Sequence, residues 1–468
     1  MKTVIHWFRR DLRMTDNTAL SAASRQGARV LPVYVLSDGQ SPCRWTGANR
    51  RQFLCGCLAA LSDGLHSTGG RLVIRRGEAV GELEKLASES GAEAIFFNRD
   101  PDPFGRATEE RLEKMAARTG VRLHACKDVC LHEHDEILTG SGAPYRVFTP
   151  YAKAWAKAPR PGMSPRPHHL ATPSGILSLP LPTLATWGQS GPAPGLPASG
   201  EKAARKRMKE FLAGGLARYG ADRNLPAGRT TSRLSQDLRF GLLSAREIFS
   251  EVEKRAAELP ADARDSAGKF VGELIWREFY MQILRHFPHV LDHEFNPAFR
   301  GMRWPGKPEH FERWKAGATG FPIVDAAMRE LDGTGFMHNR TRMIAAMFLT
   351  KDLHLDWRLG ESYFMQKLAD GEIASNNGGW QWSAGTGADA APYFRILNPW
   401  TQTQRYDPEG SYIKTWVPEL RDVAPEKFRS PPARGFSLAK DYPPPLVDHA
   451  QARNITLDLF AAQKALRL

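Results

Sequence analysis

The sequence TVIHWFRRDLRMTDNTALSAASRQGARVLPVYVL, residues 3–36, contains two short apolar runs with a helical pattern between them. Thr3–Phe8 and Val30–Leu36 are rich in branched apolar residues, as strands buried on both faces are. The intervening Thr18–Gln26 predicts a helix, which Asn17 or Thr18 can cap. A strand, a helix and a second strand in this order predict a βαβ unit with two parallel strands.

The same alternation continues over the first third of the chain. The further predicted strands are Arg71–Arg75, Ala92–Asn98 and Val121–Cys126, and the further helices are Asn49–Ser67, Ala79–Ser90 and Ala107–Thr119. This pattern predicts an α/β domain built on a Rossmann-like, doubly wound parallel sheet. The turn after the first strand reads FRRDLR, residues 8–13, so the G-x-G-x-x-G fingerprint of dinucleotide binding is missing there.

A proline-rich stretch separates this pattern from the rest of the chain. Residues 158–200 contain ten prolines, so they form neither a continuous helix nor a central strand. From Glu201 onward the patterns are helical, for example at Glu201–Arg218, Gly268–Phe287 and Arg340–Leu355. The sequence predicts an α/β domain over residues 1–132, a long linker over residues 133–200 and an all-α domain over residues 201–468.

Composition limits the class of protein. Lysine and arginine exceed aspartate and glutamate by 13 in 468 residues, which favours a polyanionic partner such as nucleic acid, although a basic protein without that role has the same charge. Five cysteines without zinc spacing predict reduced thiols and no bound metal. The N-terminus has no signal-peptide pattern and no apolar run reaches membrane length, so we expect a cytoplasmic protein.

Residues 370–395, DGEIASNNGGWQWSAGTGADAAPYFR, are the most unusual part of the chain. Two amides and two glycines stand beside two indoles, which suits polar recognition of a flat heterocycle that the backbone approaches closely. A loop with Asn-Gly turn chemistry explains the same residues equally well. Eight of the twelve tryptophans lie between residues 276 and 416, as buried core residues or as members of an electron-transfer chain.

Three other clusters combine polar and apolar groups at close spacing. Asn339 and Met343 are four residues apart and share a helix face, as Glu273 and Trp276 do at a spacing of three. Thr230–Ser235 concentrates hydroxyl groups beside an arginine, a combination that suits a phosphate. Each cluster also has an ordinary structural explanation, respectively a helix start, a solvated glutamate and a helix cap.

Six short sequence motifs, in their order along the chain, resemble motifs of the photolyase/cryptochrome family. They are WFRRDLR near the start, TSRLS at Thr231–Ser235, ELIWREFY at Glu273–Tyr280, GFPIVDAAMREL at Gly320–Leu331, HNRTRM at His338–Met343 and NNGGWQW at Asn376–Trp382. The similarity runs from residue 3 to about residue 425. It is greatest to the class I cyclobutane pyrimidine dimer photolyases.

This resemblance implies an N-terminal domain with an antenna pigment and a helical domain with FAD, active as FADH⁻. It also implies that light drives an electron onto a pyrimidine dimer flipped out of UV-damaged DNA. The catalytic residues of the family correspond to Glu273, Trp276, Asn339, Met343 and Trp382, and its electron-transfer tryptophans to Trp380, Trp357 and Trp304. The FAD-binding residues correspond to Tyr219, Thr231, Ser232, Arg233, Leu234, Ser235, Arg342, Asp370, Glu372 and Asn376. The DNA-binding residues correspond to Arg223, Arg277, Arg340 and Arg395.

The resemblance also gives finer expectations. Asn376 is expected to face flavin N5, and Asp370 to pair with Arg342. The related (6-4) photolyases have two histidines where this chain has Asn339 and Met343, so a cyclobutane dimer is the expected substrate. The segment from Asn98 to Arg106 resembles the deazaflavin-binding members, which makes 8-hydroxy-5-deazaflavin the expected antenna and 5,10-methenyltetrahydrofolate the alternative. A monomer with no obligate protein partner is expected.

Three other functions are alternatives to repair. A cryptochrome-type blue-light receptor shares the cofactor, but the complete set of dimer-pocket residues argues against it. A light-independent DNA-binding regulator does not need the flavin-lining Asn376 and Asp370. A dark flavin oxidoreductase would be expected to carry a nicotinamide-binding fingerprint, and the sequence has none.

Overall fold

The computed structural model describes residues 2–26, 29–37, 45–228, 230–390, 392 and 394–465. Its sheet has five parallel strands in the order β3-β2-β1-β4-β5. The strands are β1 (Thr3–Phe8), β2 (Arg29–Leu36), β3 (Val73–Arg76), β4 (Ala92–Asn98) and β5 (Arg122–Cys126). Every residue of β1 is buried, since the central strand of such a sheet is covered on both faces. The predicted fold class is confirmed, and each of the five predicted strands forms.

Helices connect these strands and follow them. They are α1 (Thr18–Ser24), α2 (Ala48–His66), α3 (Ala79–Ser90), α4 (Pro103–Thr119) and α5 (Phe148–Lys157). The Asn17 side chain caps α1 by accepting a hydrogen bond from the Leu20 backbone N–H at 3.0 Å, as predicted. Helix α4 begins four residues before its predicted start, because Asp102 caps it and Pro103 occupies its first position.

The chain from residue 201 to residue 465 is helical, as the sequence predicts. Its helices are α6 (Glu201–Glu210), α7 (Leu216–Asp222), α8 (Ser235–Arg239), α9 (Ala245–Glu258), α10 (Ala261–His286), α11 (Pro308–Lys315), α12 (Pro322–Thr334), α13 (Asn339–Met347), α14 (Trp357–Lys367), α15 (Ile373–Ala384), α16 (Pro399–Tyr406), α17 (Ser411–Trp416) and α18 (His449–Ala465). Two π-helical segments, Phe211–Gly215 and Phe348–Asp352, interrupt the helices predicted at Glu201–Arg218 and Arg340–Leu355. Of the described helices, none has both the length and the apolar character that crossing a membrane requires.

Packing divides the chain into two compact units. We call residues 1–192, 197–217 and 232–286 the sheet unit, and residues 193–196, 218–231 and 287–468 the helical unit. This division follows contacts within the chain, and helices α9 and α10 belong to the sheet unit by that criterion. The functional domain boundaries given above stay a prediction.

The proline-rich connector runs along the exposed edge of the sheet. The Leu179 N–H donates to the Ile74 carbonyl at 3.0 Å, and the Ile74 N–H donates to the Ser178 hydroxyl at 2.9 Å. These bonds satisfy backbone groups of β3, an edge strand that would otherwise present them to solvent. Residues 158–200, all of them described, contain a single 3₁₀ turn at Leu184–Trp187.

A buried polar network fills the turn that follows β1. Asn98, at the end of β4, donates to the Asp11 carboxylate at 2.6 Å, and Asn17 donates to the same carboxylate at 3.0 Å. Arg13 pairs with Asp128 at 2.7 Å, with both side chains about fully buried. Strand order reverses between β1 and β4, the place where doubly wound folds often bind nucleotides through a glycine-rich turn. Here charged side chains of the FRRDLR turn, together with the amides of Asn17 and Asn98, occupy that place.

The core of the helical unit is aromatic. Trp314, Trp357, Trp380 and Trp400 are each no more than 3% exposed and pack among apolar residues of α12, α13 and α14. Buried aromatic side chains contribute large apolar areas and prefer tilted or edge-to-face contacts. This core supports α13 and α15, two helices that carry predicted site residues.

Candidate functional site

The unusual NNGG segment is helical. Residues 373–384 form α15, which the Glu372 side chain caps by accepting from the Ser375 N–H at 3.0 Å. The interpretation of this segment as an Asn-Gly turn is therefore wrong. Asn376 donates from Nδ2 to the Glu361 carbonyl at 3.1 Å, so its Oδ1 is left as an acceptor. Asn377 is buried and ties α15 to the Val290 carbonyl at 2.9 Å.

Asp370 and Arg342 form an ion pair. The Arg342 Nη2 atom lies 2.8 Å from Asp370 Oδ2, and Arg342 Nε donates to the Met337 carbonyl at 2.8 Å. Asp370 is buried, and its second oxygen, Oδ1, has no hydrogen-bond partner among the described residues. A buried carboxylate oxygen without a partner is costly, so Oδ1 is well suited to accept a hydrogen bond from a ligand.

The three tryptophans of the predicted electron-transfer chain lie in the helical unit and differ in burial. Trp380 and Trp357 are 2% and 0% exposed, and Trp304 is half-buried. The Trp357 indole N–H donates to Glu294 at 3.2 Å. Within the described part of the chain, none of the three rings is in direct ring contact with another. Two buried indoles and a third that is partly exposed agree with a path from interior to surface, and the path itself stays a prediction.

Helix α13 carries two of the predicted pocket residues of the helical unit. Asn339 is exposed at the first position of α13, and Met343 is half-buried one turn later on the same face. The start of the helix is fixed by the His338 ring, whose Nδ1 accepts from the Arg340 N–H at 3.2 Å. Trp382, on α15, is half-buried.

A cluster of arginines lies beside that helix start. Arg340 donates to Asn224 Oδ1 at 2.7 Å, and its guanidinium stacks 4.5 Å from the Tyr406 ring centroid. Burial lowers the pKa of Arg340, and the positive charges of Arg223 and Arg405 lower it further. Like charges held together in this way favour an anion. Sequence reasoning missed Arg405, Asn224 and Tyr406, because none of them stands in a recognisable motif.

The hydroxyl cluster extends over both units. Thr231 belongs to the helical unit, whereas Ser232, Arg233, Leu234 and Ser235 belong to the sheet unit. Arg233 has a φ of +49°, a left-handed conformation that non-glycine residues adopt rarely. In the helical unit Tyr219 is buried, and the buried Thr230 hydroxyl has no hydrogen-bond partner among the described residues.

Helix α10 of the sheet unit carries the remaining predicted substrate residues. Glu273 and Trp276 are half-buried and lie three residues apart on one face. Arg277 donates to the Val129 carbonyl at 2.9 Å. Arg395 is also predicted to contact DNA. Its side chain is exposed, and it lies in an irregular segment of the helical unit.

The segment predicted to face the antenna runs from the end of β4 into α4. Asp100 pairs with Arg10 at 2.9 Å. Burial raises the pKa of Asp102 to about 6, and the neighbouring Asp100 carboxylate adds to that rise. The Arg9 guanidinium lies 4.6 Å from the Trp7 ring centroid and pairs with Glu109. These contacts form a buried charged end of the sheet.

These residues fit FAD by three observations within the helical unit. Asp370 Oδ1 and the Thr230 hydroxyl are buried and unsatisfied, so each has capacity for a ligand group. Gly379 on α15 borders open space, since a Cβ added there would meet nothing within 4 Å.

Among the described residues, no group of three His, Cys, Asp or Glu side chains has the arrangement of a metal site.

An α/β part with a parallel sheet and a helical part with polar, aromatic-lined helices define a class of two-part flavoproteins. The family model described as DNA photolyase matches residues 4–173, and the model described as the FAD binding domain of DNA photolyase matches residues 270–462. The chain belongs to the DNA photolyase family, within the photolyase/cryptochrome group, and it is an FAD-binding flavoprotein.

Individual relatives agree with this membership. The chain is 38% identical to the deoxyribodipyrimidine photo-lyase of Agrobacterium fabrum, over 98% of each chain, and 39% identical to that of a Synechococcus strain, over 95% of this chain and 94% of the relative. The prediction of an enzyme of the deoxyribodipyrimidine photo-lyase type is confirmed by these relatives.

Solved structures of the same fold include photolyases and a cryptochrome. A class III photolyase from Agrobacterium tumefaciens superimposes with a TM-score of 0.92 at 36% identity, covering 99% of this chain and 98% of the other. An archaeal photolyase from Sulfolobus tokodaii with two FAD molecules gives 0.85 at 31%, covering 98% and 100%. A Synechocystis cryptochrome gives 0.86 at 29%, covering 98% and 99%. The expected likeness to class I enzymes stays a prediction.

Proposed function

We propose that this chain repairs cyclobutane pyrimidine dimers in DNA. In the proposed reaction, blue light drives an electron to a dimer flipped out of the DNA stack, the cyclobutane ring opens, and the electron returns. Enzymes that act on a base must first take it out of the stack. Family membership and the names of the relatives support DNA photorepair in general, and the chemistry of individual residues supports this lesion.

The observation that carries the proposal is the pair of side chains on the exposed end of α13. Asn339 is an amide and Met343 is a thioether, so one forms hydrogen bonds and the other packs against a ring, and neither transfers a proton. Opening a cyclobutane ring requires an electron more than a proton. The pair therefore suits this lesion better than a (6-4) lesion, for which the family uses histidines.

The residues of α10 complete the proposed recognition of the dimer. We assign Glu273, together with Asn339, to hydrogen bonds with the dimer, and Glu273 to stabilising the negative charge that an added electron places on it. Glu273 is half-buried and shares a helix face with Trp276, so its carboxyl can hydrogen-bond to a base that packs against the indole. Trp276, Trp382 and Met343 are assigned to the walls against which the flat bases pack.

Other residues are assigned to the cofactor. Reduced FAD, when bound, supplies the electron under blue light. The Arg342–Asp370 pair is assigned to the flavin ring and Asn376 to N5, and the hydroxyl groups near Thr231 and Ser235 to the phosphates. The burial of Trp380 and Trp357 and the partial exposure of Trp304 support a role in reducing oxidised flavin from the protein surface.

The arginine cluster supports binding to the DNA backbone. Arg223 and Arg340 are assigned to phosphates together with Arg277 and Arg395, and the structure adds Arg405 to this set. The Asn224 and Tyr406 contacts hold the Arg340 guanidinium in one orientation before DNA binds, which reduces the entropy lost on binding. We further propose a cytoplasmic monomer with 8-hydroxy-5-deazaflavin, or alternatively 5,10-methenyltetrahydrofolate, as its antenna.

A repair assay tests the proposal. Protein reduced with dithionite is mixed with an oligonucleotide that carries one thymine dimer, and the absorbance of restored thymines is followed under blue light and in the dark. We expect light-dependent recovery over many turnovers. A flavin-loaded, reduced protein that binds this oligonucleotide without repairing it would exclude the proposed reaction.

A blue-light receptor without repair activity is the second candidate. The similarity to the Synechocystis cryptochrome favours it, since fold alone does not separate the two functions. The same assay discriminates between them, because a receptor leaves the dimer intact. In that event a (6-4) lesion is tested next under the same conditions.

A further inference from the structure

Helix α5 presents an aromatic ridge to α10 within the sheet unit. Phe148, Tyr151 and Trp155 stand at positions i, i+3 and i+7 of α5, so they share one face. The Tyr151 and Phe279 ring centroids are 5.4 Å apart, and the Trp155 indole N–H donates to the Glu278 carboxylate at 2.6 Å. The ridge is thereby held against α10 at its middle and at its C-terminal end.

Glu278 anchors this contact. Its carboxylate is 3% exposed and also accepts hydrogen bonds from the backbone N–H groups of Leu131 at 2.5 Å and His132 at 3.2 Å. Burial raises the pKa of Glu278, while the Trp155 bond and the two backbone bonds act in the opposite direction. Moving α5 away would leave a buried carboxyl group without its indole donor, which is costly.

At the N-terminal end of the ridge, the Phe148 ring lies flat against the Trp276 indole. Their centroids are 3.7 Å apart and their planes differ by 5°. Phe279 meets both rings edge-on, at 5.9 Å from Phe148 and 5.6 Å from Trp276. Free aromatic pairs prefer offset or edge-to-face arrangements over direct overlap, so we attribute the short centroid distance to the anchored ridge rather than to the attraction of the two rings. The stack fixes the plane of the indole.

We propose that Phe148 is a positioning residue that sets the plane of Trp276 for stacking against a base of the flipped-out dimer. This inference rests on the proposed function, in which Trp276 is a wall of the dimer pocket. Trp276 is half-buried, so part of its indole remains accessible. A base laid on it becomes the third layer of a Phe148–Trp276–base stack. A wall that is already oriented avoids the cost of ordering a mobile indole on binding.

Three substitutions separate the possible contributions of Phe148. Phe148→Tyr keeps the flat ring, Phe148→Leu keeps much of the volume without a plane, and Phe148→Ala removes both. The dissociation constant of each flavin-loaded variant is measured in the dark for an oligonucleotide with one thymine dimer and for the undamaged oligonucleotide. Repair kinetics then give kcat and KM. Val147→Ala, a change at the exposed neighbouring residue, is the matched control.

We expect Phe148→Leu and Phe148→Ala to weaken dimer binding about three- to tenfold, the scale of one aromatic contact. Binding of undamaged DNA and kcat stay near the wild-type values, and KM rises. Phe148→Tyr and Val147→Ala stay within about twofold of wild type, because neither removes the flat ring.

Four results would overturn or limit the inference. Tighter dimer binding by Phe148→Ala means that Phe148 occupies the place of the base. Equal losses on damaged and undamaged DNA, or a Phe148→Tyr loss as large as that of Phe148→Ala, mean a general structural role. If Phe148→Ala loses its flavin or its fold, the comparison of Phe148→Leu with Phe148→Tyr decides. A wild-type protein that neither prefers nor repairs the dimer rejects the proposed function itself, and this inference with it.

Discussion

Asn376 has two hydrogen-bonding groups, and the fold uses one of them. Its Nδ2 donates to the Glu361 carbonyl, and its Oδ1 is the acceptor assigned to flavin N5. Asn376→Asp places a negative charge there, which changes the relative free energies of the flavin redox states. We expect a different air-stable state of the flavin, recorded by absorption spectra of the purified variant. Ser375→Ala, one residue earlier, is the control; a variant with full flavin content and an unchanged spectrum would contradict the N5 assignment.

Lys351 is a buried lysine that the proposed reaction does not use. It is 1% exposed, its Nζ donates to the Ala384 carbonyl at 2.7 Å, and it lies 3.7 Å from the Phe460 ring centroid. Burial lowers its pKa to about 7. Between that value and the ordinary lysine value of about 10.4, the unfolded chain binds a proton that the native chain does not. This group therefore makes stability rise with pH over that window.

The pH dependence of Lys351 is testable by substitution. Lys351→Met cannot titrate. We therefore expect the free energy of unfolding of the wild type, relative to that of Lys351→Met, to be about 2 kcal/mol larger at pH 9 than at pH 7. Losing the bond to the Ala384 carbonyl costs a similar amount at both pH values and largely cancels. Urea denaturation at each pH measures the difference, with the exposed Lys254→Met as control. A difference that does not change with pH would contradict the lowered pKa.

Among the elements, α15 shows where sequence patterns stop being informative. Strand Ala92–Asn98 and helix Ala79–Ser90 match their predicted bounds, because apolar periodicity marks them clearly. Helix α15 combines asparagines and glycines, which are poor helix formers, and it has no clear amphipathic pattern. Its Glu372 cap and its packing against α14 stabilise it instead. Neither the cap nor the packing can be predicted from the helix propensities of the residues.

The site shows the same limit. Sequence motifs and the family resemblance identified Asn339, Arg340 and Asp370, but not the partners that orient them. Asn224 reaches Arg340 from 116 residues away, a contact created by tertiary packing alone. Such partners carry no local signal, so one sequence does not reveal them.

The close packing of α14 on α15 depends on a glycine. A Cβ added to Gly360 would lie 2.0 Å from the Trp380 ring, so Gly360→Ala must displace that indole or the helix. We expect a loss of about 1–3 kcal/mol in stability and slower photoreduction of oxidised FAD, because Trp380 moves from its place. Thermal melting and blue-light absorbance changes measure both.

Gly268→Ala is the matched control for this prediction. Gly268 lies inside α10, and a Cβ there would meet nothing within 4 Å. We expect that substitution to be neutral or to stabilise the protein by up to about 1 kcal/mol. If Gly360→Ala behaves like Gly268→Ala in both measurements, the close contact with Trp380 has no role in electron transfer.

The net charge of the whole molecule, +13, predicts affinity for DNA that falls steeply with salt. Each phosphate contact releases bound counterions and contributes about one unit to the slope of log affinity against log salt concentration. If binding follows the overall charge, every basic residue contributes a small part of the slope. If the arginine cluster binds phosphate, substitution of one of its arginines removes a whole phosphate contact. The two cases differ in how one substitution changes the slope.

Arg340 is the arginine on which this distinction is tested. Arg223 and Arg405 already depress its pKa, so DNA phosphate relieves a repulsion present in the free protein. We expect Arg340→Ala to reduce the salt slope by about 1 and to weaken binding of damaged and undamaged DNA by a similar factor. Lys254→Ala, at an exposed lysine paired with Glu251, should leave the slope unchanged. Fluorescence anisotropy over a salt series measures both slopes. If the two substitutions reduce the slope equally, DNA binding follows the overall charge and the arginine cluster is not a phosphate site.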